Sequence, residues 1–222
     1  IGMTVLGVGN SLMETAERGI AKSYIDSYTG HLLITGRSRA TMTLTGMQGL
    51  DAMDAVMPTI PAFSEVLRYA ENHPAVEAVN PQAYTLLLVD YADRRSVTQA
   101  FGIDPVYYER MFPGNIEIVS GRMLQPGEDG IVLNEEIVEH LQRRGDIVVE
   151  PGETVLLTGA TPTGGIRIRE VPIRGIYRFR QDNPALDLVS LMDITNVRAL
   201  AGMNLLAVSE AELTELEATL LG

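Results

Sequence analysis

Histidines and carboxylates are the side chains through which this chain could do acid–base or metal chemistry, because it contains no cysteine. The three histidines, His31, His73 and His140, lie far apart in the sequence. None has a second ligand residue at a helical metal-binding spacing such as His-x-x-x-His. We therefore predict neither a metal site nor a histidine-based catalytic site.

Paired carboxylates are the remaining candidates for catalysis. They occur at Asp51/Asp54, Glu135/Glu136 and Asp182/Asp187. A glycoside hydrolase needs two such groups facing each other across a cleft. It usually also has aromatic platforms for the sugar, and this chain has no tryptophan and only 5% aromatic residues. Solvated acidic faces are the simpler interpretation, and a secreted acidic hydrolase or sugar-binding protein stays as the alternative.

Two glycine-rich stretches, at residues 7–10 and 159–165, do not match the nucleotide-binding patterns that hold phosphate. The second stretch joins two predicted strands, so we expect a hairpin tip there and not a phosphate cradle at a helix N-terminus. The net charge of −12 disfavours nucleic-acid binding, because the phosphate backbone would be repelled. The sequence predicts no cofactor.

One cationic pattern stands out on this acidic chain. In the predicted strand over residues 166–180, alternation places Arg174, Arg178 and Arg180 on one face with Ile176. Such a stripe could meet an anionic partner or lipid headgroups. The alternative is an exposed face whose arginines pair with nearby acids, including Asp182, each pair contributing little.

The elements that must position these residues mix helices and strands without regular alternation. Apolar spacing predicts helices over residues 4–28, 63–73, 104–112, 134–143, 193–202 and 210–221. Strand patterns cover residues 32–37, 76–79, 84–91, 96–101, 116–119, 131–133, 154–157, 166–180 (broken at Pro172) and 205–208. Asp104 and Asp193 are the predicted N-caps of their helices. The whole pattern predicts an α+β fold and not a doubly wound parallel sheet.

The start of the chain has its own character. Residues 1–9 are apolar, but no apolar run reaches the roughly 18 residues that a membrane span needs. The chain begins at Ile1 without an initiator Met or a signal-peptide n-region. We expect it to be a piece of a longer protein, with the 4–28 helix continuing from a membrane helix.

Short motifs follow one another in a recognisable order from Gly30 to about Val208. They are Gly30–Thr35, a strand pair around Val79-Asn80-Pro81, Gly102–Pro105, a Gly-Arg-x-Leu turn at Gly121–Leu124, Gly130–Asn134, Pro151–Val155, Val171–Tyr177 and Leu191–Leu200. This order resembles the extracytoplasmic, MacB-like periplasmic core domain of ABC-transporter permeases of the macrolide-exporter, lipoprotein-releasing and FtsX type.

The resemblance implies a non-catalytic domain in two parts. Residues 30–95 and 171–222 would form a membrane-proximal α/β "porter" part, made from both ends of the segment. Residues 96–170 would form a smaller, inserted, β-rich "sabre" part. Residues 1–29 would be the helix that continues from a transmembrane helix.

The resemblance also implies partners. These would be a cytoplasmic ABC ATPase subunit, a second permease subunit and a periplasmic carrier or adaptor, on the extracytoplasmic side of the inner membrane. The work of the ATPase would export or release a lipoprotein, a peptide or a small molecule. In the lipoprotein-releasing branch a Thr-Pro-x-Gly hairpin tip docks the carrier. Here Thr161, Pro162, Thr163 and Gly164 match that tip, and with Arg174, Arg178 and Arg180 they are the predicted docking residues.

Overall fold

The structure, a computed structural model, describes residues 22, 25–36, 42–43, 46–47, 59–143, 147–161, 164–181, 183–184 and 186–203. Within these residues a π-helical turn (Ile25–Thr29) is followed by four α-helices: α1 (Phe63–Asn72), α2 (Pro105–Met111), α3 (Glu135–Gln142) and α4 (Ile194–Leu200). The strands are β1 (Met42–Thr43), β2 (Gly46–Met47), β3 (Gln82–Tyr91), β4 (Arg94–Ile103), β5 (Ile116–Gly121), β6 (Ile131–Asn134), β7 (Thr154–Ala160), β8 (Ile166–Phe179) and β9 (Val189–Asp193).

The central sheet has seven strands in the order β5-β8-β6-β9-β4-β3-β7. The long strand β8 also pairs with β7, so β8, β6, β9, β4, β3 and β7 form a closed ring. Strands β3 and β4 make an antiparallel hairpin with Tyr91 opposite Arg94, while β4–β9 and β6–β8 are parallel. The fold is therefore α+β, as predicted.

The core lies on both faces of this sheet. A first cluster fills the inner face, where α3 and α4 pack; it includes Leu87, Val89, Leu157, Ile173 and Val197. A second cluster covers part of the outer face and is built around α2; it includes Phe101, Tyr108, Phe112, Val132 and Tyr177. Strands β6 and β9 are buried along their whole length, because they lie between the two clusters.

Most predicted elements between residues 63 and 202 are confirmed. Helix α1 ends at the predicted His73, and the Asp104 side chain caps α2 by accepting hydrogen bonds from the N–H groups of Val106 and Tyr107. The Asp193 side chain caps α4 in the same way through Thr195. Local side-chain chemistry sets these helix starts.

Three predictions are wrong. Residues 32–36 and 76–79 form no strand, since neither segment has a ladder partner in the described part of the chain. Strand β8 is not broken at Pro172, which stays in register opposite Thr154. A proline is tolerated where its missing N–H is not needed for the ladder.

The predictions for both ends of the chain lie mostly outside the described residues. This holds for the 4–28 helix, apart from the π-helical turn, and for the 205–208 strand and the 210–221 helix. The division at 95 and 170 stays a prediction, although both positions fall within strands of the one sheet, β4 and β8. No helix in the described ranges is long and apolar enough to cross a membrane.

Candidate functional site

Motifs that lie far apart in the sequence meet at one place, which we call the glycine junction: Gly121, Arg122, Gly130 and Gly175. Gly121 at the end of β5 lies opposite Gly175 of β8, and the Arg122 N–H donates a 3.0 Å hydrogen bond to the Arg174 carbonyl. Gly130 precedes β6, which pairs with the same stretch of β8.

Glycine is required at this junction because the backbones leave no room for a side chain. A Cβ on Gly175 would lie 2.4 Å from the Arg122 carbonyl oxygen, and a Cβ on Gly121 would lie 2.4 Å from the Arg174 carbonyl oxygen. Gly121 also has a φ of +72°, which favours glycine. Three of the predicted motifs are thus held together by backbone packing.

A fourth motif, Pro151–Val155, joins the same junction. The Gly152 N–H donates to the Ile173 carbonyl at 2.8 Å, and the Ile173 N–H donates to the Glu153 carbonyl at 2.7 Å. The side chain of Pro151 lies against Gly121, since a Cβ there would be 2.8 Å from Pro151 Cβ. The beginning of β7 is therefore fixed to the middle of β8.

A carboxylate fixes the polar edge of the junction. Arg122 donates to both oxygens of Glu128, at 2.8 and 2.6 Å, and Arg174 Nε lies 3.1 Å from Glu128 Oε1. The hydrogen bonds from Arg122, with smaller help from the Gln125 N–H and the Arg174 charge, lower the pKa of Glu128 to about 2. Arg174 also donates to the Asp129 carbonyl. In this ionic network Glu128 is paired with both Arg122 and Arg174, so the arrangement is suited to holding the strands together.

The predicted single-face arginine stripe is wrong. A register shift between β6 and β8 falls beside Arg174 and reverses the alternation, so that Ile173 packs in the first cluster and Tyr177 in the second. Arg178 pairs with Glu117 at 3.1 Å and with Glu135 at 3.6 Å. Arg180 is exposed, and its N–H donates to the Asn115 carbonyl. Arg174 and Arg178 are thus partly neutralised by acids.

The predicted hairpin tip joins β7 to β8, with Ala160 opposite Ile166. The Thr161 N–H donates to the Gly165 carbonyl at 2.8 Å, and the Gly165 N–H donates to Thr161 Oγ1 at 3.0 Å. Gly164 has a φ of +79° and open space around its missing Cβ. The tip is therefore a tightly closed turn; Pro162 and Thr163 lie outside the described residues.

Large apolar side chains flank this tip, and sequence reasoning missed them. Ile166 and Ile168 are strongly exposed at the start of β8, although the tip itself carries only small residues. Their alternation with Arg167 and Arg169 is an ordinary strand signal. It does not reveal which face is covered, because that depends on what packs against the sheet.

The residues considered for catalysis are not brought together. Within the described ranges, no three His, Asp or Glu side chains are placed to hold a metal ion. Of the acidic alternatives, Glu135 lies beside Arg178, and Asp182 is outside those ranges. Among the described residues, one open cleft is lined by residues of α1 and its C-terminal end, and another by β8 and α4 residues. Neither of these two clefts contains a pair of carboxylates.

Comparison with known proteins finds similarity among solved structures. No family model matches the chain, and no curated protein sequence matches it. The chain is similar to the extracellular domain of the noncanonic ABC-type transporter YknZ from Gram-positive bacteria, with 14% identity and a TM-score of 0.45. The match covers 62% of this chain and 65% of that domain, less than two thirds of its length. A likeness of this size does not decide what the chain does.

Proposed function

We propose that this chain is the extracytoplasmic domain of an ABC-transporter permease and has no catalytic activity of its own. The observation that carries the proposal is the glycine junction. Four motifs that follow one another in the sequence meet there at one packed position: Gly121–Leu124, Gly130–Asn134, Pro151–Val155 and Val171–Tyr177. Proteins that share this architecture would keep these glycine motifs, because the fold needs glycine where two backbones approach closely.

In this proposal the domain transmits force and recognises a partner. A cytoplasmic ABC ATPase subunit supplies energy, a second permease subunit completes the transporter, and flanking helices connect the domain to the inner membrane. The β7–β8 hairpin is the docking element for a periplasmic carrier, adaptor or substrate. The closed turn at Thr161–Gly165 supports this role, because a preformed turn reduces the ordering penalty of binding.

Within the docking element, the tip residues contribute more to partner binding than the arginines. The main residues are Thr161, Pro162, Thr163 and Gly164. Arg174, Arg178 and Arg180 are secondary, since the first two are already ion-paired.

The test uses the full-length protein that contains this chain, reconstituted in lipid nanodiscs with the ATPase encoded beside it. We expect the two to co-purify and to hydrolyse ATP. Replacing Pro162 and Gly164 with Ala should reduce substrate release or export, while the domain stays folded at a penalty of about 1–2 kcal/mol from the positive φ.

Gly127→Ala is the matched control, because Gly127 has a φ of +72° and equally open surroundings but lies away from the hairpin. It should leave transport unchanged. A full-length protein that neither binds an ATPase nor carries membrane helices would refute the permease assignment. Equal transport by the tip variant and the control would refute only the docking role.

A further inference from the structure

Half of the outer face of the sheet is covered by no other element that the structure describes. The second core cluster covers this face over β6, β9 and the last part of β8. Over β3, β7 and the first parts of β4 and β8, polar outward side chains such as Gln99 and Thr158 lie beside five exposed apolar ones. We call these residues the bare face; their exposed fractions are Leu86 51%, Val97 39%, Leu156 40%, Ile166 70% and Ile168 63%.

The ladder registers show that the bare face is continuous. Val97 lies opposite Leu88, Leu88 opposite Thr158, and Thr158 opposite Ile168, so one row crosses four strands. The inward neighbours of these residues, such as Leu87 and Leu157, are fully buried, as alternation requires. A sheet face with exposed apolar side chains is usually buried against another layer of secondary structure.

The two ends of the bare face, taken along the strand direction, differ in charge. The half nearest the hairpin tip is uncharged, with Leu86 opposite Gln99 and Ala160 opposite Ile166. The far end carries five acids, Asp90, Asp93, Glu150, Glu153 and Glu170, and two arginines, Arg94 and Arg95, the second of which pairs with Asp90 at 2.6 Å. Contacts within the sheet bring several of these acids to the same end. Tyr91 at the end of β3 donates a hydrogen bond to Glu153, and Leu156 lies between Asp90 and Glu170 on the neighbouring strands.

The bare face is smaller than one side of a stable protein–protein interface, so we expect it to bind its partner weakly and transiently. The bare face is three strand spacings wide, roughly 15 Å, and two residue pairs long, roughly 14 Å. Its area is therefore on the order of 200 Å². A stable interface needs about 800 Å² from each partner. An α-helix of three turns, about 16 Å long and 10 Å wide, matches these dimensions. Helix on sheet is also a standard way to cover an apolar sheet face.

Charge decides which helix fits. The chain's own last segment, residues 204–222, carries Glu210, Glu212, Glu215 and Glu217 and no lysine or arginine. The acidic end of the bare face would repel it. A second copy of the chain, with its net charge of −12, would be repelled as well.

We propose that the bare face binds a basic amphipathic helix of a partner protein, with its apolar stripe on Ile166, Ile168 and Leu86 and its lysine- or arginine-rich end on the acidic end of the face. The proposal concerns the isolated domain and does not depend on a membrane context. Its failure would therefore leave the permease assignment standing.

The experiment uses the 222-residue domain and a fluorescent 15-residue probe peptide. The probe has a leucine stripe at helical spacing and lysines at one end. One control peptide has the same composition in scrambled order, and another has glutamate in place of lysine. Anisotropy titration should show binding of the probe alone, and Ile166→Thr with Ile168→Thr should weaken it about ten-fold or more.

Val106→Thr is the matched protein control, because Val106 is as exposed as Ile168, at 63%, but lies on α2. It should leave probe binding unchanged. Glu170→Gln should weaken binding of the probe peptide and reduce the salt dependence of that binding.

Four results would overturn the proposal. They are equal binding of all three peptides, equal loss with Val106→Thr, a concentration-dependent dimer that the Ile166/Ile168 double variant abolishes, and loss of amide protection in residues 204–222 in that variant. The third would assign the bare face to a second copy of the chain. The fourth would assign it to the chain's own C-terminal segment.

Discussion

Gly175→Ala is the sharpest perturbation of the glycine junction. The new methyl group would lie 2.4 Å from the carbonyl oxygen, 3.0 Å from the nitrogen and 3.1 Å from the carbonyl carbon of Arg122. All three are backbone atoms, so no side-chain rotation relieves the contact. The strand end must move by about 1 Å, which strains the Arg122 N–H bond to the Arg174 carbonyl. Overpacking of this kind and a weakened backbone hydrogen bond together lower the free energy of unfolding by about 3 kcal/mol.

Thermal and urea unfolding of the isolated domain measure this loss. For a chain of this length we expect the Tm to fall by about 6–12 °C. Gly165→Ala is the control, because its nearest neighbour is the exposed Thr161 hydroxyl at 3.0 Å, and a small shift of that side chain relieves the contact. It should change stability by less than about 1 kcal/mol. A Gly175→Ala domain within about 0.5 kcal/mol of the wild type would refute the close packing on which the junction rests.

Three further predictions concern single side chains. Asp104→Ala should destabilise the domain by about 1 kcal/mol through loss of the α2 cap, whereas Asp104→Asn should not, as urea unfolding would show. Tyr177→Phe should lower the free energy of unfolding by about 1 kcal/mol, because the buried hydroxyl donates a hydrogen bond to the Val189 carbonyl. An unchanged urea midpoint would contradict this. The pKa of Glu128 is lowered by Arg122, so the stability it contributes is complete above its unfolded pKa of about 4.5 and is lost as the pH falls towards about 2. Glu128→Gln should flatten this acid limb of a stability–pH profile, and an unchanged limb would contradict the assignment.

The parts of the fold that could be predicted are those fixed by neighbours in sequence. Asp104 and Asp193 cap their helices with their own side chains, and the β3–β4 hairpin closes over a two-residue turn. Strand β9 was missed because all five of its residues are buried. A strand covered on both faces has no alternation, and a short apolar run of that kind also suits a helix.

The parts that could not be predicted depend on distant packing. The register shift beside Arg174 comes from pairing with β6, more than thirty residues earlier, and it moves Ile173 and Tyr177 to opposite faces. The motifs of the glycine junction were recognisable as glycine-containing turns, but their meeting point was not. The bare face was also missed, since alternation gives two faces and not which of them is covered.

The central claim is that the domain lies outside the cytoplasm, and the most direct test is to determine on which side of the membrane it is found. These 222 residues contain no cysteine. Once any cysteine elsewhere in the full-length protein is replaced, single cysteines placed in the domain can be labelled in intact cells with a membrane-impermeant maleimide. The account predicts that Val106→Cys, at an exposed position, is labelled before lysis. Val132→Cys, at a fully buried position, should be labelled only after denaturation. Labelling of Val106→Cys only after the cells are lysed would place the domain in the cytoplasm and contradict the account.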